Sequence, residues 1–387
     1  MINAYITNNT DGTVSVINTS TDMISTTVTV GTQPFGVAFT PDGSKAYVAN
    51  AVSNNVSVIN TTTDMVSTTI PVGNSPDVYG IFIQQFPIRA IAYITNYGSN
   101  TVSLINTASN TVIATITVGA APVGIDISPD GSKAYTVNNG ANSVTVFNTK
   151  TYAVIATIPV GTTPIGVAVS ADGTKAYVSN DGTNNISVIN TATNTISATI
   201  NVGSVPLGVS ITPDGKKLYV VNDSSNNVSV INTSDNSKAA TIVVGSAPGW
   251  AGFSTDGTKA YVTNGNDGTI SVINTSNNTI SATISVGAGA GPRFAFVTPD
   301  GKKLYVTNYS VNNVSVFNTS NNSILATINV GAGPEGLSFT PDGAYAYVTN
   351  LSSTTVSVIN TATNTVIATV PVGASPASNG LFIKYAY

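Results

Sequence analysis

A ninefold internal repeat is the feature of this sequence that most restricts its fold. A tetrapeptide that begins with Tyr and ends with Asn recurs nine times in 387 residues, at intervals of 42, 44 or 46 residues. A Val-Gly pair followed after a short gap by Pro also recurs nine times. A period of about 40–45 residues is typical of one four-stranded blade of a β-propeller. The nine tetrapeptides begin at Tyr5, Tyr47, Tyr93, Tyr135, Tyr177, Tyr219, Tyr261, Tyr305 and Tyr347.

The repeat over residues 164–202 shows the pattern of one unit. Runs rich in Val, Ile, Thr and Tyr occupy Gly166–Val169, Lys175–Ser179, Asn185–Ile189 and Thr195–Ile200. Asp172-Gly173 lies between the first two runs, and Asp-Gly favours a tight hairpin because both residues tolerate positive φ. Short runs of this kind between turn residues predict antiparallel strands, and no segment has helical periodicity over more than two turns. We therefore predict an all-β fold in which each repeat forms one four-stranded antiparallel sheet.

The two ends of the sequence predict how the array of sheets closes. Radial packing buries both apolar faces of every sheet, and closure leaves no uncovered end. The chain begins without the first strand of a repeat, and it ends with a spare first strand at Gly380–Lys384, which is similar to Gly80–Ile83. We expect this last strand to complete the N-terminal blade, so that residues 1–30 and 376–387 form one composite blade. The expected architecture is a single β-propeller domain of nine blades over residues 1–387.

The composition excludes much of enzyme chemistry. Only 8% of the residues are charged, and the chain contains no His and no Cys. It therefore lacks the residues for His-based catalytic triads, Cys/His zinc sites, haem ligation by His or Cys, and disulfides. Glu335 is the one Glu among 17 acidic residues, and the net charge of −4 gives no electrostatic reason to bind nucleic acid. We expect no catalytic residues, no metal site and no cofactor.

The sequence also predicts that the chain does not insert into a membrane. No run of about 18 apolar residues is present, so no membrane-spanning helix is expected. Residues Met1–Tyr5 contain neither a basic stretch nor an apolar stretch, so we expect no signal peptide at this end.

Three recurring motifs connect the chain with a known repeat family. The tetrapeptide Tyr-Val-Thr-Asn, as at Tyr261–Asn264, occurs together with Pro341-Asp342-Gly343 and Val356–Thr361. In these motifs the chain closely resembles the YVTN-type β-propeller repeat family over essentially its whole length. The resemblance implies an extracellular, non-catalytic module such as those of the surface-layer and cell-surface proteins of methanogenic archaea. The typical ring of that family has seven blades.

More distant resemblances bring in enzymes that contain propellers. Lactonases, haem d1 enzymes and copper-containing reductases have similar propellers. The haem and copper enzymes need His ligands, which this chain lacks. The lactonases bind a divalent metal with Glu, Asp and Asn near the central channel, and here Glu335 is the only Glu.

The candidate binding residues lie where single repeats depart from the consensus. By analogy with the family, the first strand of a blade is innermost, so the residue after its Pro lies near the mouth of the channel. Most residues at this position are apolar. The next position is usually Gly but becomes aromatic in two neighbouring repeats. We predict a ligand-binding or partner-binding site formed by Phe35, Trp250, Arg293, Phe294 and Glu335. The residues after the Pro are Phe35, Asp77, Val123, Ile165, Leu207, Gly249, Arg293, Glu335 and Ala377.

A structural role is the alternative for each of these features. Trp250 and Phe294 would fill a wide channel, and Arg293 and Glu335 would form an ion pair at its rim. The Asp residues that precede Gly in the first hairpins are explained by turn formation. The stretch Gln84–Arg89, which replaces the usual Pro-Asp-Gly turn, marks either a contact surface or a seam in the ring.

We expect a non-enzymatic scaffold or interaction propeller, located outside the cell or on its surface. A surface-layer protein is one candidate within this class. Its partners would be other proteins or copies of itself, bound through loops and the weakly charged outer strands, and glycans are a further candidate. One alternative is a lactonase-like or lyase-like enzyme with its site at the channel mouth. The other is a carbohydrate-binding propeller that uses Trp250 and Phe294.

Overall fold

The computed structural model describes residues 3–40, 43–76 and 90–385, most of which lie in short strands and tight turns. Within these residues the helical elements are two single 3-10 turns, Asp181–Thr183 and Tyr309–Val311. No helix in this part of the chain has the length and apolar character needed to cross a membrane. The all-β prediction is confirmed. The chain divides into two compact units, residues 1–88 and residues 89–387.

The first unit contains two antiparallel sheets that share an apolar core. Tyr5 and Val16 of one sheet lie in a single cluster with Val48 and Ile59 of the other. One sheet has the three strands β1 (Asn3–Asn8), β2 (Thr13–Asn18) and β3 (Met23–Thr29), and the other has the four strands β4 (Pro34–Phe39), β5 (Lys45–Asn50), β6 (Asn55–Asn60) and β7 (Met65–Pro71).

The second unit contains seven four-stranded sheets. In each of them neighbouring strands are antiparallel, and six of the sheets are formed by four consecutive strands. The seven sheets are β8 (Ala90–Asn96), β9 (Thr101–Asn106) and β10 (Thr111–Thr117) with the last strand β35 (Ile383–Tyr385); β11 (Pro122–Ile127), β12 (Lys133–Asn138), β13 (Ser143–Asn148) and β14 (Val154–Pro159); β15 (Pro164–Val169), β16 (Lys175–Asn180), β17 (Asn185–Asn190) and β18 (Thr195–Asn201); β19 (Pro206–Ile211), β20 (Lys217–Asn222), β21 (Asn227–Asn232) and β22 (Lys238–Val243); β23 (Pro248–Phe253), β24 (Lys259–Asn264), β25 (Thr269–Asn274) and β26 (Thr279–Ser285); β27 (Pro292–Val297), β28 (Lys303–Asn308), β29 (Asn313–Asn318) and β30 (Ile324–Asn329); and β31 (Pro334–Phe339), β32 (Tyr345–Asn350), β33 (Thr355–Asn360) and β34 (Thr365–Pro371).

The burial pattern shows that the seven sheets pack face to face. The two middle strands of a sheet, such as β16 and β17, are buried on both faces, whereas the fourth strand, such as β18, is mostly exposed. Each sheet packs on the next one, and the last packs on the first, because Tyr347 and Val358 share an apolar cluster with Ile94 and Leu104. Residues 89–387 therefore form a closed ring of seven blades, with the first strand of each blade inside and the fourth outside.

In four sheets of the second unit the Tyr of the repeated tetrapeptide joins its sheet to the next through its hydroxyl group. Tyr305 Oη donates a hydrogen bond to Asn364 Oδ1 at 2.7 Å, on the turn before the outer strand of the following sheet. Burial raises the pKa of the Tyr305 phenol to about 12, so the hydroxyl keeps its proton at neutral pH. Tyr347 Oη donates to the carbonyl oxygen of Thr107 at 3.2 Å and joins the seventh sheet to the first.

The Asn that ends the tetrapeptide holds the third strand, and it explains the recurring Val-Gly pair. Asn180 Nδ2 donates to Asn185 Oδ1 at 2.8 Å and to Ser187 Oγ at 2.9 Å. The Cβ that a larger residue would place at Gly161 would lie 2.5 Å from the Asn180 side chain. Only Gly allows the backbone to approach the Asn so closely, since no such contact is sterically allowed for a Cβ atom.

The C-terminal strand corrects the predicted closure. We expected it to complete the N-terminal blade, but β35 pairs with β8, with Ile383 opposite Ala92, and the sheet of β1–β3 has three strands among the described residues. The sheet of β34 packs on the sheet of β8, so the chain that leaves β34 meets the inner edge of β8 within a few residues. Phe382 is fully buried there, and its carbonyl oxygen accepts a hydrogen bond from the Tyr93 backbone at 2.8 Å. The predicted composite blade of residues 1–30 and 376–387 is therefore wrong.

The count of nine sheets agrees with the ninefold repeat, but seven of them form the ring of the second unit. The assignment of one domain to residues 1–387 concerns the arrangement of the two units and stays a prediction. Asp77, Gly80–Ile83 and Gln84–Arg89 lie outside the described residues.

A designed disulfide tests the position of the last strand. Residues directly opposite in an antiparallel pair have Cα atoms about 4.5–5.5 Å apart, which is within the range that a disulfide spans. The double variant Ala92→Cys with Ile383→Cys is expected to crosslink under mild oxidation, since these residues are paired and the chain has no other Cys. Non-reducing electrophoresis and mass spectrometry detect the bond. The single variants are the controls, and crosslinking of Ile383→Cys with Ala4→Cys on β1 instead would contradict the assignment.

Two Tyr-to-Phe variants test the tie between sheets. Tyr305→Phe removes a hydrogen bond to Asn364 and is expected to lower the free energy of unfolding by about 0.5–1.5 kcal/mol. Tyr261 is the matched control, because its buried hydroxyl has no partner among the described residues. Tyr261→Phe is expected to leave stability unchanged or slightly increased, since an unpaired buried hydroxyl is unfavourable. Urea unfolding followed by circular dichroism gives the free energy of unfolding of both variants. An equal decrease in the two variants would refute a stabilising role of the Tyr305 hydrogen bond between sheets.

Candidate functional site

A cavity of about 260 Å³ lies at one end of the ring's central channel. The residue after the Pro of every first strand in the second unit contributes to its wall, as the sequence predicted for a channel mouth. We call this cavity the mouth cavity. Its lining residues are Tyr97, Val123, Ile165, Leu207, Gly249, Trp250, Arg293, Phe294, Glu335, Leu351, Ala377 and Asn379.

The third residue of the tetrapeptide holds the wall of the mouth cavity in place. Thr263 Oγ1 donates to the carbonyl oxygen of Arg293 at 2.7 Å, and Thr307 Oγ1 donates to the carbonyl oxygen of Glu335 at 2.8 Å. Each bond runs from the second strand of one sheet to the first strand of the next. The backbone that carries the two charged side chains is therefore fixed by the fold, and only the side chains adjust.

Trp250 and Phe294 fill the channel below the mouth cavity. Their rings pack with centroids 4.6 Å apart, and the residues are only 3% and 4% exposed. Trp250 also lines a second cavity of about 370 Å³, formed by later residues of the first strands such as Val167 and Val209. The aromatic pair thus separates two cavities along the channel. The position of these two rings corresponds to the channel-filling alternative given above. Neither ring is exposed for stacking against a ligand.

Arg293 and Glu335 lie on neighbouring sheets of the wall without forming an ion pair, among the residues described. Arg293 is exposed and lies over Tyr309, with its guanidinium carbon 5.2 Å from the ring centroid. Glu335 is half-buried. Burial raises the pKa of the Glu335 carboxyl, and the positive charge of Arg293 opposes that rise. Among the described residues, Arg293 and Glu335 therefore do not form the ion pair considered from the sequence. The charge of Arg293 still affects the pKa of Glu335.

Sequence reasoning did not connect the residues that follow the tetrapeptide's Asn with the channel mouth. Tyr97 and Leu351 line the mouth cavity, and Tyr309 stacks with Arg293. Asp223 lies close enough for the Arg293 charge to oppose the rise in its pKa that burial causes, and burial also raises the pKa of Asp181. The residue type at this position varies from repeat to repeat, and this variability is the feature of the sequence that could have indicated a place near the site. Around the ring it is occupied by Tyr97, Asn139, Asp181, Asp223, Gly265, Tyr309 and Leu351.

Two buried polar atoms in the lining have no hydrogen-bond partner among the described residues. They are Trp250 Nε1, a donor, and Asn379 Oδ1, an acceptor. Asn379 belongs to the segment that leads into β35 and is 8% exposed. Both atoms are enclosed by protein, and a buried polar atom without a partner costs free energy, so these two groups lower the stability of the channel wall.

The remaining candidates lie elsewhere. Phe35 lies on β4 in the first unit and is not among the residues that line the mouth cavity. The Asp residues of the first hairpins act in their turns: Asp130 accepts hydrogen bonds from Ser128 Oγ at 2.6 Å and the Ser132 backbone at 3.0 Å, and the Ser128 bond lowers its pKa. Within the described ranges, no three acidic side chains gather closely enough to hold a metal ion.

A closed ring of four-stranded antiparallel blades, with a cavity where the innermost strands begin, defines a β-propeller. The YNCE-like beta-propeller family model matches residues 93–343, more than half of the chain and within the ring of the second unit. The chain belongs to the YNCE-like beta-propeller family.

Solved structures with the same architecture come from proteins of several kinds. Hydrazine synthase of Kuenenia stuttgartiensis is 23% identical, with a TM-score of 0.63, over 68% of this chain and 95% of that one. A proposed 6-phosphogluconolactonase of Bacteroides uniformis is 17% identical, with a TM-score of 0.66, over 77% and 99%. Virginiamycin B lyase of Staphylococcus aureus is 18% identical, with a TM-score of 0.57, over 65% and 84%. These similarities establish the fold.

A search of curated proteins found no significant match.

The pH dependence of stability tests the environment of Glu335. A carboxyl whose pKa is raised in the folded state destabilises the fold above that pKa, where it is ionised. Glu335→Gln keeps the size but cannot ionise, so the variant is expected to melt at a higher temperature than the wild type at neutral pH. As the pH falls below the raised pKa of Glu335 the difference should shrink, and it should disappear below the ordinary pKa of a glutamic acid, where the unfolded chain is protonated as well. Calorimetry over this pH range measures it. A less stable variant at neutral pH would show instead that the attraction to Arg293 dominates.

Proposed function

We propose that this protein is a non-catalytic binding propeller, a scaffold that works outside the cell or on its surface and binds partners through the mouth cavity and its outer strands. The observation that supports this most is the construction of the mouth cavity. Its wall is mainly apolar, its two charged side chains stand on backbone that is fixed by hydrogen bonds between sheets, and Trp250 and Phe294 close it below. A preformed apolar cavity with few convergent polar groups is typical of a binding site.

The outer strands supply a second surface for the scaffold. Each outer strand has a register shift near its start, as between Val112 and Ala114 on β10, which leaves Val112 and Ile113 both exposed. Val154 and Ile155 on β14 repeat the arrangement. A register shift is one of the irregularities that protect natural edge strands, but these edges carry exposed aliphatic side chains and almost none of the charges that usually accompany it. We propose that they contact other copies of the chain, as in a surface array.

The proposed location outside the cell is supported by the surface chemistry. Only 8% of the residues are charged, so the surface consists largely of Asn, Thr and Ser. The chain also resembles the YVTN-type surface propellers in its repeated motifs. Localisation of the native protein by antibody labelling of intact cells tests this part of the proposal.

Charge placed on the outer strands tests self-association. The variant with Ile113→Lys, Ile155→Lys, Leu325→Lys and Ile367→Lys replaces one exposed aliphatic residue on each of four outer strands. The wild type is expected to associate as its concentration rises, and the variant to stay monomeric, since like charges at a strand edge repel. Sedimentation velocity over a concentration series measures both.

The matched control adds the same charge away from the strands. It carries Ala108→Lys, Thr151→Lys, Ser320→Lys and Ala362→Lys, all at exposed turn positions, and it should associate as the wild type does. A wild-type protein that remains monomeric at the highest concentration would overturn the self-association proposal.

An enzyme is the second candidate, because the mouth cavity combines Arg293 with a half-buried Glu335 and the fold is shared with a lyase and a proposed lactonase. In that case Glu335 would act as general acid or base, and turnover of lactone substrates would be lost in Glu335→Gln. The carbohydrate-binding alternative has weaker support, because Trp250 and Phe294 are buried rather than exposed.

A further inference from the structure

The mouth cavity presents one positive and one negative side chain that stand apart. Arg293 is held over Tyr309, and no ion pair joins it to Glu335 among the described residues. Their charges still influence each other, since Arg293 opposes the rise in the Glu335 pKa. A ligand that carries an ammonium group and a carboxylate a short distance apart would satisfy both side chains.

The apolar part of the wall indicates what side chain the ligand carries besides its two charged groups. Val123, Ile165 and Leu207 follow one another around the side of the cavity away from Arg293 and Glu335. A volume of about 260 Å³ accommodates a branched aliphatic or aromatic side chain. Burial of such a side chain against this wall stabilises binding by about 25 cal/mol for each Å² of apolar surface removed from water.

We propose that the mouth cavity binds a free α-amino acid with an apolar side chain. The ligand's carboxylate lies on Arg293, its ammonium group on Glu335, and its side chain against Val123, Ile165 and Leu207. The inference rests on the proposed binding role of the mouth cavity and names the class of ligand.

Three ligands of one shape test the proposal on the wild-type protein. L-leucine carries both charges, N-acetyl-L-leucine lacks the ammonium group, and L-leucinamide lacks the carboxylate. Trp250 is the only Trp of the chain, so its fluorescence reports occupancy, and isothermal titration calorimetry gives the affinities. L-leucine is expected to bind at least about 10-fold more tightly than either analogue, because each analogue leaves one charged side chain unpaired.

Variants then assign each charge to its side chain. Glu335→Gln should lower the affinity for L-leucine by about 10-fold or more and leave the affinity for N-acetyl-L-leucine unchanged. Arg293→Met should lower the affinity for L-leucine by a similar factor and leave the affinity for L-leucinamide unchanged. Lys302→Met is the matched control, since Lys302 is 79% exposed and pairs with Asp300 away from the cavity; it should change none of the affinities.

Either of two results would overturn the inference. One is equal binding of all three ligands, and the other is no binding of L-leucine at about 10 mM. Because the ligand series is measured on the wild type, a variant that fails to fold does not remove the test. Self-association is measured separately on the outer strands, so a failed ligand series with intact self-association rejects the ligand class and leaves the scaffold proposal standing.

Discussion

Hydrogen bonds between neighbouring sheets are the constraint on which the rest of this structure depends. In most blades of the ring the second strand donates a Tyr hydroxyl outward to the next sheet, as from Tyr305 to Asn364, or a Thr or Ser hydroxyl inward, as from Thr307 to the Glu335 carbonyl. Where both bonds are present, they join neighbouring blades at two distances from the channel. The repeated tetrapeptide therefore contributes hydrogen bonds that join neighbouring sheets. Because it recurs in every blade, the blades of the ring are nearly identical.

The same bonds explain why the candidate site is rigid in its backbone and variable in its side chains. In five of the seven blades the residue after the Pro is held by its carbonyl oxygen, so its side chain is free to differ from blade to blade. Five of these seven positions are apolar or Gly, and two carry charge, Arg293 and Glu335. The aromatic pair of Trp250 and Phe294 closes the channel beneath them. The candidate site thus arises on a repetitive fold from residues that differ in three adjacent blades.

Much of this arrangement could be predicted from the sequence. The strands, the turns, the four-stranded blades and the grouping of Trp250, Arg293, Phe294 and Glu335 all follow from the period and from the departures at single repeats. The acidic and aromatic residues after the tetrapeptide's Asn were missed, because their position beside the mouth depends on the pairing of the first strand with the second, as between Pro164 and Asn180. Among the described residues Arg293 lies over Tyr309 and forms no ion pair with Glu335, and the sequence does not indicate this contact because Arg293 and Tyr309 belong to different elements.

The sequence by itself determined the local structure, because the alternation of β-branched residues with Asp, Asn, Gly and Pro acts over a few residues. Only the tertiary structure decided which sheets close into a ring. A terminal strand of this pattern fits the inner edge of any blade that lacks one, and sequence similarity does not rank these edges. The position of the β8 edge beside the blade that ends in β34, together with the burial of Phe382, selected β8 and gave a ring of seven.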